Sequence, residues 1–457
     1  MRTSKRFIFL AIAGLLAGAV SLPAQATHDE DDHSDNARML VRKQIKIGED
    51  TFAQGTDLAF QKDLIIAGSF QGTSFFKRLP KAPYIKQLGF HNCPSSQGDV
   101  SVWGHYVYVS VDSPSSNNFE SVTCNNTDES LGKEGIRIID ISDLQQPRQV
   151  KFIETDCGSH THVLLPHGDK MYMYINSYPL SPTAQGPTCN EASHRKFSII
   201  EFPKNDPTKA KVIATPAVPQ PSIGCHDTTV FPSRNIAVAA CLENTNVLDI
   251  SDPADPKVLS TIVNQDIQFH HSSSFTWDGK YIIISDEYGG AEGGGGCAAD
   301  ENSTVGAMWF YNITDPENPS LEGHYSLPRI PTADTPEEAV RLRCTTHLYN
   351  ILPTKDKKRY VAVSSYYSGG MSAVDFSDPA DPKELGYYVN TPEGENPDSW
   401  AAYWYNNRIY SNDFETAAGL RVFKIKGGFG KRKVLNFGPR MNPQVQIPGD
   451  LFNAYKG

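Results

Sequence analysis

The chain has 457 residues, 39% of them hydrophobic and 21% charged, with a formal net charge of −10. Nucleic acid and anionic membrane surfaces are excluded as partners, because binding to either rests on an excess of Lys and Arg. The 31 Pro and 35 Gly are spread along the chain, which fits many short strands joined by turns.

Residues 1–26 read as a secretory signal peptide. Arg2, Lys5 and Arg6 precede an apolar run at 7–20, and Ala24-Gln25-Ala26 forms a small-residue cleavage signal. The run is shorter than the ~20 residues that span a bilayer, and no later stretch is long and apolar enough to do so. The mature chain is therefore expected to be secreted or periplasmic, without a membrane span. Cleavage leaves 39 of the 42 basic residues against 52 acidic ones. The polar stretch 27–37 is expected to be disordered. A single domain is expected at 38–438, followed by a loosely wrapping tail at 439–457.

Seven pairs of short strands follow. They begin near Gly55, Gly98, His160, His226, His270, His347 and Ser399, with tight turns such as Asp278-Gly279 and Asn406-Asn407 between strands. Most pairs are followed by a third strand that ends in one grammar: IIDISD at 138–143, VLDISD at 247–252, WFYNITD at 309–315 and VDFSD at 374–378. A Pro-containing turn and an outer strand come next, and Ser251, Thr314 and Ser377 recur every 63 residues. Periodic all-β units of this size imply a closed radial array. The expected fold is a seven-bladed β-propeller of four-stranded antiparallel blades. An N-terminal strand at 40–47 should complete the last blade beside 420–425, with 434–437 as a rival for that place, because an open edge would invite aggregation.

The eight cysteines lie at 93, 124, 157, 189, 225, 241, 297 and 344, with no C-x-x-C pair. An even count behind a signal peptide points to disulfides. Sequential pairing is the simplest expectation: 93–124, 157–189, 225–241 and 297–344.

The strand ending in an Ile-Asp-Ile-Ser-Asp-Pro-like run resembles the repeat of the LVIVD family. CGSHTH at 157–162, GCHD at 224–227, HHSSSF at 270–275, Asp286-Glu287 and AYWY at 402–405 resemble the secreted bacterial members of that family. This resemblance implies a propeller and export, and it implies no particular activity.

The sharpest functional signal is a set of histidines in register. His160, His226 and His347 each stand six residues before a proline, and His270 keeps that register with Thr276 in place of Pro. Four consecutive blades thus present His at the start of the innermost strand, where equivalent positions converge on one mouth of the channel. Imidazole is a common ligand of iron, copper and zinc. The expected metal ligands are His160, His226, His270 and His347, with His162, His271 and Asp227 as additional or alternative ligands. The adjacent pair His270-His271 leaves the register open by one residue, which would turn the side chain to the other face. Asp286-Glu287 can orient a ligand histidine, although such a pair more often caps a strand end.

Three function classes follow. One is a transition-metal protein, with oxidoreductase or oxygenase chemistry on a small molecule. The alternative is a metal-free extracellular module for protein interaction or adhesion. The third, a metal-independent hydrolase or lyase, lacks an evident nucleophile. No G-x-S-x-G elbow, P-loop or dinucleotide fingerprint is present.

Overall fold

The computed structural model describes residues 32–442, apart from 96, 113–132, 180–188, 190–193, 288–303, 305, 330–341, 357, 390–397, 428–433 and 436. The leader read at 1–26 lies outside these residues, as do Cys124 and Cys297. The chain folds into a seven-bladed β-propeller. Blade four shows the plan. Asp227–Phe231 lies innermost, followed outward by Ile236–Ala240, Thr245–Asp249 and Lys257–Ile262, each antiparallel to the last.

The other innermost strands are Gly55–Gln61, Val100–Trp103, Thr161–His167, His270–Phe275, Tyr349–Ile351 and Ser399–Tyr405. They are sandwiched between neighbouring blades and buried almost throughout, while outer strands such as Lys257–Ile262 are half exposed. Burial on both faces is why the inner strands carry no clean alternation of polar and apolar residues.

Every blade has a register shift between its third and outermost strands, for example at Val247/Leu248, Phe310/Tyr311 and Ala373/Val374. Such bulges increase local twist, which a propeller blade requires. The repeated Asp-x-Ser-Asp grammar is explained by paired side-chain turns. Asp249 Oδ1 accepts the N–H of Ser251 at 2.8 Å, and Asp252 Oδ1 accepts that of Ala254 at 3.0 Å. The same contacts recur from Asp140, Asp143, Asn312, Asp315, Asp375 and Asp378. Short Asp and Asn side chains here replace backbone hydrogen bonds that the turn leaves unmade.

Ring closure uses both termini. Ala37–Lys43 is the outermost strand of blade seven, paired with Leu420–Ile425 as expected but starting three residues earlier than the 40–47 span. The expectation of disorder at 27–37 is corrected from residue 32 onward. Asp32–His33 pairs with the outer strand of blade six, and Asn36 Nδ2 donates to Leu385 O at 2.8 Å.

The tail after Gly438 is also more fixed than expected over its described part. Arg440–Met441 pairs with Phe60 and Gln61 on the channel side of blade one. Asn442 exchanges hydrogen bonds of 2.9 and 3.1 Å with Val102 of blade two, and Asn350 Nδ2 of blade six lies 3.1 Å from Met441 Sδ. The segment packs on the ends of the inner strands opposite the histidines. Val434 does not compete for blade seven but bridges to Thr354.

Disulfides Cys157–Cys189 and Cys225–Cys241 form as expected. Cys93 and Cys344 are disulfide-bonded too. Among the described residues no helix is long and apolar enough to cross a membrane.

Candidate metal centre

The start of an innermost strand is the narrowest part of a blade, so side chains there meet across the mouth. The structure brings His160, His226, His271 and His347 together in an arc from blades three to six. Ring centroids are separated by 4.2 Å (His160 to His226), 3.9 Å (His226 to His271) and 4.5 Å (His271 to His347). All four rings are buried. His226, His271 and Glu287 place one potential ligand atom each within 4.8 Å of one another, a His/His/Glu cluster able to coordinate a metal ion.

His271, not His270, faces the cluster. The register of the strand shifts between His270 and Ser273, and this irregularity turns His270 away, where its Nδ1 meets Thr245 Oγ1 at 2.8 Å. His270 also forms a two-way backbone bridge with Leu242 of blade four. His162 and Asp227 lie deeper. His162 is held by Ser101 Oγ at 2.7 Å and Ser110 Oγ at 2.8 Å, leaving neither nitrogen for a ligand. Asp227 accepts the N–H of Thr228 at 2.8 Å, and burial raises its carboxyl well above the usual range.

Two partners fix ring orientation. His160 Nδ1 lies 2.6 Å from Asp112 Oδ2, and His347 Nδ1 lies 2.5 Å from the Trp400 carbonyl. Both partners only accept, so each Nδ1 carries a proton and each ring is turned with Nε2 toward the cluster. His160 Nε2 is 2.7 Å from His226 Nε2. His347 Nε2 is 3.6 Å from Glu287 Oε1, whose other oxygen lies 3.3 Å from His271 Nε2. Tyr367 Oη donates to Glu287 Oε1. Carboxylate or carbonyl anchoring of Nδ1 is how ligating histidines are usually held.

Burial sets the charge states. It pushes His226 and His271 well below the usual imidazole range, reinforced by neighbouring histidines. It takes His347 down to about 3, against the raising effect of the Trp400 carbonyl. These three rings are neutral at neutral pH, the form that binds metal. Burial raises Glu287, an effect opposed by Tyr367 and Arg343.

The donor set fits a transition metal. Neither ring nitrogen of His271 makes a hydrogen bond, although both are fully buried. An unmet buried polar group costs about 1–3 kcal/mol, and a cation among the Nε2 atoms would remove the share that belongs to His271 Nε2.

Sequence reasoning missed Asp112 and left Glu287 ambiguous. Asp112 directly follows the second strand of blade two and Glu287 that of blade five. Aligning second strands as well as inner strands would have paired them. Asp286 does cap, as expected of one member of the pair, accepting the N–H of Phe269 at 2.9 Å and of Gln268 at 3.1 Å. Asp398, beside the equivalent position of blade seven, pairs with Arg343 at 2.6 Å.

No known family matches the chain, and no curated protein matches it. Among solved structures it is similar to the WD40 β-propeller domain of Doa1, with 8% identity, 86% of this chain and 99% of that one covered, and a TM-score of 0.52. It is also similar to hydrazine synthase of Kuenenia stuttgartiensis, with 13% identity, 82% and 98% coverage, and a TM-score of 0.52. At such identities the likeness shows the propeller fold and nothing about activity.

Proposed function

We propose that this is an exported, LVIVD-repeat-like propeller that holds one transition metal ion, iron, copper or zinc, at the mouth of its channel. The ligands in this reading are His160, His226, His271 and His347 through Nε2, with Glu287 as a carboxylate ligand or close acceptor. The observation that carries it is the buried grouping of His226, His271 and Glu287, whose ligand atoms lie within 4.8 Å of one another and where neither nitrogen of His271 makes a hydrogen bond. Charge supports it further. Asp112 and Glu287 both face histidines, and a divalent cation there would be met by carboxylate as well as imidazole.

A bound redox metal would supply Lewis acidity or electron transfer to a small molecule, which makes oxidoreductase or oxygenase chemistry the activity to assay. The protein's own residues define what such a site can do. Asp112 and the Trp400 carbonyl fix two tautomers. Tyr178 and Trp400 pack against the histidine rings, at 5.0 Å from His160 and 4.7 Å from His347, and limit water at the cluster.

The test is elemental analysis of untagged protein made in an oxidising compartment, beside a His226→Ala/His271→Ala variant. About one equivalent of transition metal in the parent, lost in the variant, is expected. No metal in the parent after incubation with iron, copper and zinc salts would overturn the reading and favour a metal-free interaction module.

A further inference from the structure

Cys225 directly precedes His226, and its partner Cys241 directly follows the second strand of blade four. The next residue, Leu242, donates its N–H to His270 O at 3.2 Å and accepts the N–H of His270 at 2.7 Å. His270 in turn directly precedes His271. One covalent link therefore lies a single residue from His226 and one backbone bridge from His271, and these two histidines belong to different blades. The His226 backbone is held as well, its N–H donating to Ala240 O at 2.8 Å.

The need for such a link follows from the cluster. Two neutral rings with centroids 3.9 Å apart, one of them lacking any hydrogen bond, gain little from each other. His226 is held at 2.7 Å by His160 of blade three, and His271 lies 3.3 Å from Glu287 of its own blade; neither contact crosses from blade four to blade five. We propose that the Cys225–Cys241 disulfide is a positioning brace for the metal centre: within blade four it ties the start of the His226 strand to the Leu242 segment that bridges to His270 of blade five, and tight metal retention by the folded propeller depends on it. This inference rests on the metal reading above and adds that the site is built to work only in the oxidised protein.

The experiment compares the full mature chain with a Cys225→Ala/Cys241→Ala variant and with Ile66→Ala. Ile66 is fully buried in the core between blades one and two, so its truncation loosens the fold away from the site. Zn²⁺ affinity is measured by competition with a chromophoric chelator, the Co²⁺ absorption spectrum reports ligand geometry, and circular dichroism reports folding. The cysteine variant is expected to stay folded, bind Zn²⁺ at least tenfold more weakly and show an altered Co²⁺ spectrum. Ile66→Ala is expected to melt earlier with affinity and spectrum unchanged. A Cys225→Ala/Cys241→Val pair, which refills the sulfur volume, replaces the alanine pair if that fails to fold. Parent-like affinity and spectrum in a folded variant without the link would overturn the brace while leaving the metal site intact, as would a parallel loss in Ile66→Ala. A parent that binds neither Zn²⁺ nor Co²⁺ would overturn the metal reading itself.

Discussion

Replacing Asp112 by Asn tests the metal centre without touching a ligand. The Asp112 carboxylate sits 2.6 Å from His160 Nδ1, and its other oxygen is buried without a partner. Asn keeps the shape but exchanges a charge-assisted hydrogen bond for a neutral one, and such bonds differ about twofold in strength. It also offers an amide N–H₂ in place of one oxygen. If the amide turns that group toward Nδ1, the ring must carry its proton on Nε2, the atom that faces His226. Loss of a comparable carboxylate partner costs roughly 10–100-fold in metal affinity, which is about 1.4–2.8 kcal/mol. The assay is Zn²⁺ competition with a chelator at constant pH, with His162→Gln as a matched control one layer deeper. That control should leave affinity within about twofold, because both ring nitrogens of His162 are already committed to serines. Equal affinity in Asp112→Asn and the parent, or equal losses in both variants, would refute the assignment of His160 Nε2 as a ligand.

The register of blade five predicts that His271→Ala abolishes stoichiometric metal while His270→Ala retains it, as read by elemental analysis. Acid stability should depend on His91, which burial, helped by Arg137, lowers to about 3. Its folded-state value lies below the unfolded one of about 6.5, so the unfolded chain takes up the proton first. Its stability contribution is complete above pH ~6.5, falls as pH drops toward 3, and reaches a few kcal/mol. A His91→Leu variant should therefore lose less stability than the parent between pH 7 and pH 4 in urea melts. Deleting residues 439–457 removes the buried Met441 and two Asn442 hydrogen bonds, a loss of about 3–5 kcal/mol. It should lower the melting midpoint yet leave metal content unchanged, because residues 440–442 contact the ends of the inner strands opposite the histidines.

The blade repeat was legible because its grammar is local. An Asp two residues before Ser or Thr makes its turn whatever the rest of the chain does, and the spacing of 63 residues carries that turn from blade to blade. The histidine register was legible for His160, His226 and His347 because a following proline marks the strand end. It failed by one residue at His270-His271, where Thr276 replaces the proline and the shift between His270 and Ser273 is set by pairing with the second strand. Tertiary contacts decide such a bulge, and no local residue preference announces it. The tail was misread for a related reason: Arg440, Met441 and Asn442 have no strand pattern of their own, and they become ordered only because blades one, two and six offer them partners.

The same distinction separates the two polar layers of the channel. At the mouth, neutral imidazoles face one another and two carboxylates face histidines. One layer deeper, Asp57, Asp99 and Asp227 are buried together, but here the groups satisfy each other. Tyr403 Oη donates to Asp57 at 2.6 Å, Asp99 accepts the N–H of His162 at 3.0 Å, and Asp57 is held well above the usual carboxylate range by burial and by Asp99. Burial of a polar group costs free energy unless a partner is supplied. The deeper layer obtains its partners from tyrosine, serine and backbone. At the mouth His271 Nδ1 has no partner and Nε2 meets only the Glu287 carboxylate, with His226 beside them, and it is this grouping of donors that makes the mouth the candidate metal site.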